Sequence, residues 1–138
     1  MDVRTIHITE YDLTRLRDLM REARRLEPRG NQYLDNLERE LARAKVVAPS
    51  EVPPDLITMN SRVRLIDLDT REEMVYTLVF PDHADIAQSK ISVLAPIGTA
   101  MLGYRVGDVF AWEVPDGVRR IQVEELLYQP EAAGDCHL

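Results

Sequence analysis

Two runs of helical periodicity fill the first third of the chain. Apolar side chains recur there at steps of three or four residues, so each run presents one apolar stripe when it is helical. The first stripe comprises Leu13, Leu16, Met20, Ala23 and Leu26, and the second comprises Leu34, Leu37, Leu41 and Ala44. Thr9 and Asp12 have the spacing of a helix-capping pair, and Pro28 and Gly30 interrupt the pattern between the runs. The pattern predicts an antiparallel helical hairpin over residues 1–48.

Oppositely charged side chains are spaced three or four residues apart along both predicted helices, which favours ion pairs on their outer faces. The predicted pairs are Asp18 with Arg21, Glu22 with Arg25, Asp35 with Arg39, and Glu40 with Arg43. Arms of about 15–18 residues predict a hairpin only about 25 Å long at the usual helical rise.

The pattern changes after a stretch that contains three prolines, residues 49–55, which is typical of a stiff linker. Strand-like runs follow at 56–59, 62–68, 73–80, 90–94, 109–114 and 118–128. Pro115-Asp116-Gly117 predicts a hairpin turn, and residues 96–102 predict one short helix. We therefore expect an α+β fold in which a helical hairpin, or short coiled coil, precedes a mostly antiparallel sheet domain over residues 56–138.

Charge and composition exclude several classes of protein. The formal charge is −7, and residues 1–48 carry 10 basic and 9 acidic side chains, whereas residues 49–138 carry 7 and 15. An acidic body repels phosphates, so we expect no direct nucleic-acid binding. Cys136 is the only cysteine and leaves no intramolecular disulfide. Without a signal-peptide pattern or an apolar run near 20 residues, we expect a cytoplasmic protein with no membrane partner.

No pattern of residues indicates an enzyme or a metal centre. His7, His83 and His137 lie far apart in the sequence and lack the spacing of metal ligands. The predicted hairpin tip places one acid, Glu27, beside Arg29, which makes a poor site for a divalent cation. We therefore expect no catalytic residue, no cofactor and no bound metal.

Three stretches carry a family resemblance: Thr-Met-Asn-Ser-Arg-Val-Arg at 58–64, Ile-Ser-Val-Leu-Ala-Pro-Ile-Gly at 91–98, and Tyr-Gln-Pro-Glu-Ala-Ala-Gly-Asp at 128–135. With them, residues 5–138 resemble the regulators of nucleoside diphosphate kinase (Rnk). That family is similar in turn to the Gre transcript cleavage factors, with which it shares the C-terminal domain. The resemblance implies an FKBP-like fold for this domain and a coiled coil before it.

The resemblance also implies binding to RNA polymerase. In Gre-like factors the C-terminal domain grips the rim of the secondary channel, and here it implies Asp85, Ser92 and Pro96 as contacts. The tip residues Glu27 and Arg29 do not reproduce the acid pair of the Gre hairpin, so we expect no stimulation of transcript cleavage. Occupancy of the channel entrance would instead compete with Gre-type factors, and an effect on nucleoside diphosphate kinase levels would be indirect.

Two other functions stay open at this point. A peptidyl-prolyl isomerase would need an aromatic pocket for the proline ring, which Phe80, Tyr104 and Trp112 could line. A helical-hairpin adaptor would bind its partner through an arginine-rich face, although a solvated helix face explains the same residues. That face comprises Arg17, Arg21, Arg24 and Arg25.

Overall fold

The computed structural model describes residues 6–26, 32–115 and 117–134. In that part of the chain the helices are α1 (Glu10–Leu26), α2 (Gln32–Ala42), α3 (Pro96–Met101) and α4 (Pro130–Ala133). The strands are β1 (His7–Ile8), β2 (Lys45–Val46), β3 (Arg62–Asp67), β4 (Glu73–Val79), β5 (Lys90–Ser92), β6 (Val109–Val114) and β7 (Gly117–Tyr128). Single 3₁₀ turns occur at Pro49–Glu51, Pro81–His83 and Ile86–Gln88.

Helices α1 and α2 form where the apolar stripes predicted them. The stripe residues that are fully buried are Leu13, Leu16, Met20, Leu34, Leu37 and Leu41. Leu26, the last member of the first stripe, is 70% exposed and therefore does not belong to the core. The Thr9 hydroxyl accepts a hydrogen bond of 3.2 Å from the backbone N–H of Asp12, which caps the start of α1 as predicted.

A short pair of strands joins the two ends of the helical segment. Strands β1 and β2 run parallel, with His7 opposite Lys45 and Ile8 opposite Val46. The backbone N–H of Lys45 donates to the carbonyl of Ile6 at 2.8 Å. The residues just before α1 and just after α2 are therefore hydrogen-bonded to each other. Strand β2 was not predicted from the sequence.

The prediction of a strand at 56–59 is wrong. All four of these side chains are buried, but their backbone is irregular and bonds to several different partners. The N–H of Ile57 donates to the carbonyl of Tyr104 at 2.8 Å, and the N–H of Thr58 donates to the Ser61 hydroxyl at 2.9 Å. An apolar run that is covered on all sides lacks the alternation of a half-buried strand, so its pattern does not distinguish a strand from a packed loop.

The segment at 49–55 is held against the body. Val52 is buried, and the side-chain amide of Gln129 donates to the carbonyls of Pro53 and Leu56 at 2.7 Å each. Asp55 also forms an ion pair of 2.9 Å with Arg105. The division of the chain into separate domains on either side of this segment stays a prediction.

Within the described residues, five strands form a sheet in the order β5-β4-β3-β7-β6. The pairs β3–β4, β3–β7 and β6–β7 are antiparallel, whereas β4 and β5 are parallel. Helix α3 forms as predicted. The sequence predicted only one helix in the sheet domain, however, and the structure adds a second short helix, α4. The FKBP likeness stays a prediction.

One cluster of buried side chains connects the helices with the sheet. Leu16 and Leu37 from the hairpin belong to the same cluster as Met101 of α3 and Phe110 and Ile121 of the sheet. Burial of apolar surface stabilises by about 25 cal/mol per Å². The helical hairpin therefore rests on the sheet domain through a shared apolar core.

Candidate interaction surface

The turn between β5 and α3, residues 92–96, has its own hydrogen bonds, and we call it the β5–α3 turn. The Ser92 hydroxyl accepts from the backbone N–H of Leu94 at 3.0 Å, and the N–H of Ala95 donates to the carbonyl of Ser92 at 3.0 Å. Pro96 is exposed in the first turn of α3, where a missing N–H has no cost. Two of the predicted contact residues, Ser92 and Pro96, thus lie at the two ends of one ordered turn.

Gly98 and Thr99 fix α3 against this turn, and the sequence reasoning did not identify either as a functional residue. A Cβ atom on Gly98 would lie 2.1 Å from the carbonyl oxygen of Ser92, so only glycine fits there. The Thr99 hydroxyl donates to the carbonyl of Val93 at 2.7 Å. The Pro-Ile-Gly sequence carried the signal, because a glycine inside a helix often marks close backbone approach.

Asp85, the third predicted contact, lies in the loop before β5. Its carboxylate accepts from the backbone N–H of Ala87 at 3.0 Å, and its backbone exchanges two hydrogen bonds of 2.9 Å with Lys90. Lys90 is two residues before Ser92 on β5, so the structure brings the Asp85 loop and the β5–α3 turn to opposite ends of one three-residue strand. Ile86, the next residue in the loop, is 79% exposed, and the sequence reasoning missed it.

The predicted tip residues Glu27 and Arg29 lie outside the described residues. The arginines of the hairpin are largely engaged in ion pairs. Arg24 of α1 reaches Asp35 and Glu38 of α2, whereas Arg21 pairs with Asp18 within α1. These pairs favour a structural role for the arginine-rich face over a free binding surface.

The aromatic residues predicted for an isomerase pocket do not share one groove. The groove lined by Tyr104 also contains Phe110, Asn36 and Glu40, but neither Phe80 nor Trp112. Tyr104 stacks on Phe110 with 5.2 Å between ring centroids. Phe80 is buried and lies beneath the guanidinium of Arg15, 4.0 Å from its ring centroid.

A buried acid, Asp12, lies at the start of α1 within electrostatic reach of Glu131 in α4. Asp12 is 7% exposed, and its pKa is raised to about 6, first by burial and then by the nearby charge of Glu131, which together outweigh Arg15 at 3.8 Å. Glu131 accepts a hydrogen bond of 2.8 Å from the Thr58 hydroxyl. Loss of the Asp12 proton therefore adds a repulsion between the carboxylates of Asp12 and Glu131.

Among residues 6–26, 32–115 and 117–134, no three His, Cys, Asp or Glu side chains lie close enough together to hold a metal ion. In the same part of the chain, no helix combines the length and the apolar content needed to cross a bilayer.

Comparison with protein families gives two matches that follow each other along the chain. Residues 4–47 match the model described as the Rnk N-terminus, and residues 52–128 match the C-terminal model of the transcription elongation factors GreA and GreB. Residues 48–51 lie between the two matches and include the start of the proline-containing segment. The second match includes Asp85, Ser92 and Pro96.

Individual relatives agree with both matches. The chain is 44% identical over 132 residues to the regulator of nucleoside diphosphate kinase of Escherichia coli (strain K12), covering 95% of each chain. It is 37% identical over 95 residues to transcription elongation factor GreA of Syntrophotalea carbinolica, covering 69% of this chain and 60% of that one. A solved GreA/GreB structure from Nitrosomonas europaea superposes with a TM-score of 0.75 at 42% identity, covering 91% of this chain and 100% of that one.

The fold and these matches define a protein of the GreA/GreB-like class. Within that class, the chain belongs to the family of regulators of nucleoside diphosphate kinase. The relatives carry the names of regulators and transcription factors rather than of catalysts.

Proposed function

We propose that this protein is a non-enzymatic regulator of transcription that binds RNA polymerase in the cytoplasm. The proposal places Asp85, Ser92 and Pro96 against the rim of the secondary channel. The observation that carries it is the match of residues 52–128 to the GreA/GreB C-terminal domain, which contains all three residues.

The local structure supports a docking role for this region. The β5–α3 turn keeps its shape through its own hydrogen bonds and through the close approach of Gly98 to Ser92. A surface that is already ordered loses little conformational entropy on binding. Ile86 adds an exposed apolar side chain beside Asp85, and such a side chain gains free energy when a partner covers it.

The hairpin is too short, and its tip too poor in acids, to act in transcript cleavage. Helix α1 has 17 residues and α2 has 11, which correspond to lengths of about 25 and 16 Å. Holding a second catalytic cation requires paired carboxylates, whereas the tip sequence offers one acid, Glu27, two positions before Arg29. The protein therefore occupies the channel entrance, competes there with Gre-type factors, and acts on nucleoside diphosphate kinase levels through gene expression.

Direct binding to purified core RNA polymerase tests this proposal, with a Gre-type factor as competitor. We expect saturable binding that the competitor abolishes. Ile86→Ser should weaken it at least fivefold, since buried apolar anchors dominate many interfaces. Val118→Ser is the matched control, because Val118 is 60% exposed on β7, outside the proposed contact. Binding that the competitor leaves intact would refute the assigned location, and absence of binding would refute the function.

A cleavage assay on backtracked transcription complexes tests the second half of the proposal. The purified protein should leave the rate of transcript cleavage unchanged when added alone. It should lower the rate when a Gre-type factor is present, because both occupy the same entrance. Efficient cleavage by the protein alone would contradict the argument from the hairpin tip.

A further inference from the structure

A row of polar side chains crosses four strands on one face of the sheet. Lys90 of β5 is opposite Thr77 of β4, Thr77 is opposite Arg62 of β3, and Arg62 is opposite Tyr128 of β7. Residues opposite each other in neighbouring strands project to the same face. Two cations and two hydroxyl groups therefore form a continuous row about four strands wide.

Side chains from two other elements complete a groove over this row. Arg15 of α1 and His83 of the 3₁₀ turn at Pro81–His83 line it, together with Asn60 and Val79. We call this the basic groove; its volume is about 470 Å³. A volume of this size lies within the range of small-molecule sites.

The charge of the basic groove is opposite to that of the protein. The chain carries a formal charge of −7, yet none of the described residues that line the groove is acidic. The side chains of Arg62, Lys90 and His83 form no hydrogen bond or ion pair with any residue in the described ranges. Arg64, two residues along the same strand, instead pairs with Glu125 and Glu73.

Arg15, which lines the groove, has a guanidinium packed between two aromatic rings. Its guanidinium lies 4.0 Å from the ring centroid of Phe80 and 5.1 Å from that of Tyr11. Aromatic faces stabilise a cation and restrict its rotamers. The carboxyl group of Asp12 is 3.8 Å from this guanidinium, and the pKa of Asp12 is raised to about 6 because this carboxyl is buried.

We propose that the basic groove binds a small phosphorylated molecule. Guanidinium groups hold phosphate oxygens through paired, charge-assisted hydrogen bonds, and the ammonium of Lys90 adds a third point of attachment. The ring of Tyr128 and the side chain of Val79 offer apolar contact to the rest of such a ligand. A compact anion suits this site better than a nucleic acid, because the acidic surface beyond the groove repels a long polyanion.

Isothermal titration calorimetry at low ionic strength tests the proposal with two probes, inorganic pyrophosphate and adenosine 5′-monophosphate. We expect saturable binding of at least one probe at one site per chain. Arg62→Gln and Lys90→Gln should each weaken it about tenfold, the loss that corresponds to one charge-assisted hydrogen bond. Binding of both probes supports recognition of phosphate itself. Tighter binding of the nucleotide supports recognition of an organic phosphate that also contacts the apolar wall.

Arg71→Gln is the matched control, since Arg71 is an exposed arginine in the β3–β4 turn and lies outside the groove. It should bind both probes as the parent protein does, and circular dichroism should show all variants folded. The proposal is overturned if neither probe binds at millimolar concentration. It is equally overturned if Arg71→Gln loses as much affinity as Arg62→Gln, or if the groove variants lose polymerase binding while the parent binds no anion.

Discussion

The helical hairpin and the β5–α3 region are held together by different kinds of interaction. Across the hairpin, Arg24 reaches Asp35 and Glu38 on the solvent side of an apolar stripe. At the β5–α3 junction, Gly98 touches the carbonyl of Ser92 and Thr99 donates to Val93, with no room for one more carbon atom. The first region tolerates changes of side chain on its surface, whereas the second depends on contact between two stretches of backbone.

This difference indicates which of the two regions has the more rigid backbone. Exposed ion pairs are weak and can exchange partners, so the hairpin keeps its fold through apolar burial and adjusts its surface freely. Backbone contact at van der Waals distance cannot adjust without moving a whole element. The region proposed to bind the polymerase is therefore the one with the smaller tolerance for change.

The largest loss of folding stability is expected from Gly98→Ala, which adds one methyl group where Gly98 meets the carbonyl of Ser92. Helix propensity alone would make alanine more stable than glycine by about 1 kcal/mol. The added carbon would lie 2.1 Å from a backbone oxygen of Ser92, so the overpacking cost should exceed the usual range of about 1–3 kcal/mol and outweigh this gain. Chemical denaturation should show the loss of stability, and polymerase binding should weaken with it.

Gly107→Ala is the control for that substitution. Gly107 has a φ of +96°, but a methyl group added to its Cα would meet nothing within 4 Å, so this variant reports backbone strain without a clash. Its cost should be about 1–2 kcal/mol with polymerase binding retained. If Gly98→Ala proves as stable as the parent, the contact is looser than the structure indicates.

Asp12→Asn should produce the next largest change in folding stability, a gain whose size depends on pH. The folded-state pKa of about 6 exceeds the ordinary value of 3.8, so the folded chain binds a proton that the unfolded chain releases. Stability from this group is therefore present below pH 4 and is lost as the pH rises through 6, by up to about 3 kcal/mol. The asparagine variant should melt higher than the parent at pH 7.5 and match it near pH 4.

Asp18→Asn serves as the control, because Asp18 lies on the exposed face of the same helix. Its melting temperature should stay close to that of the parent at pH 7.5, because an exposed ion pair contributes little to stability. A pH-independent gain in Asp12→Asn would mean that the substitution acts through packing rather than through the buried charge.

The smallest effect is expected from Arg24→Gln, which removes the ion pairs between α1 and α2. Because the two carboxylates are exposed and Arg24 is partly exposed, the change in stability should be close to the error of a denaturation experiment. A double-mutant cycle with Asp35→Asn measures the coupling directly. Strong coupling would show that the stability of the hairpin depends on its surface charges. The hairpin would then tolerate surface changes less well than proposed, as the β5–α3 region does.

Local periodicity predicted the helices because their stripes repeat within a few residues. The pairs Asp18–Arg21 and Glu40–Arg43 are confirmed by the structure for the same reason. The prediction that Asp35 pairs with Arg39 is wrong, since Asp35 instead meets Arg24. These two residues belong to different helices, and the spacing rule within one helix contains no information about that contact.

The basic groove could not have been predicted from the sequence for a related reason. Lys90, Thr77, Arg62 and Tyr128 become neighbours only through the registers of three strand pairings. A shift of one residue in any pairing would turn a strand's side chains to the opposite face. Ser92 and Pro96 of the β5–α3 turn, in contrast, lie close together in sequence, and their role as polymerase contacts stays a prediction from the family resemblance.

The pairing of β1 with β2 allows the helical hairpin to change length without moving the point at which it leaves the body. Because Ile8 and Val46 are neighbours, the chain enters and leaves the hairpin at nearly the same point of the body. Seven residues added to each arm would extend it by about 10 Å while leaving that entrance unchanged. How far such a protein reaches from its anchoring domain can thus be altered, by engineering or over evolution, without rebuilding the domain itself.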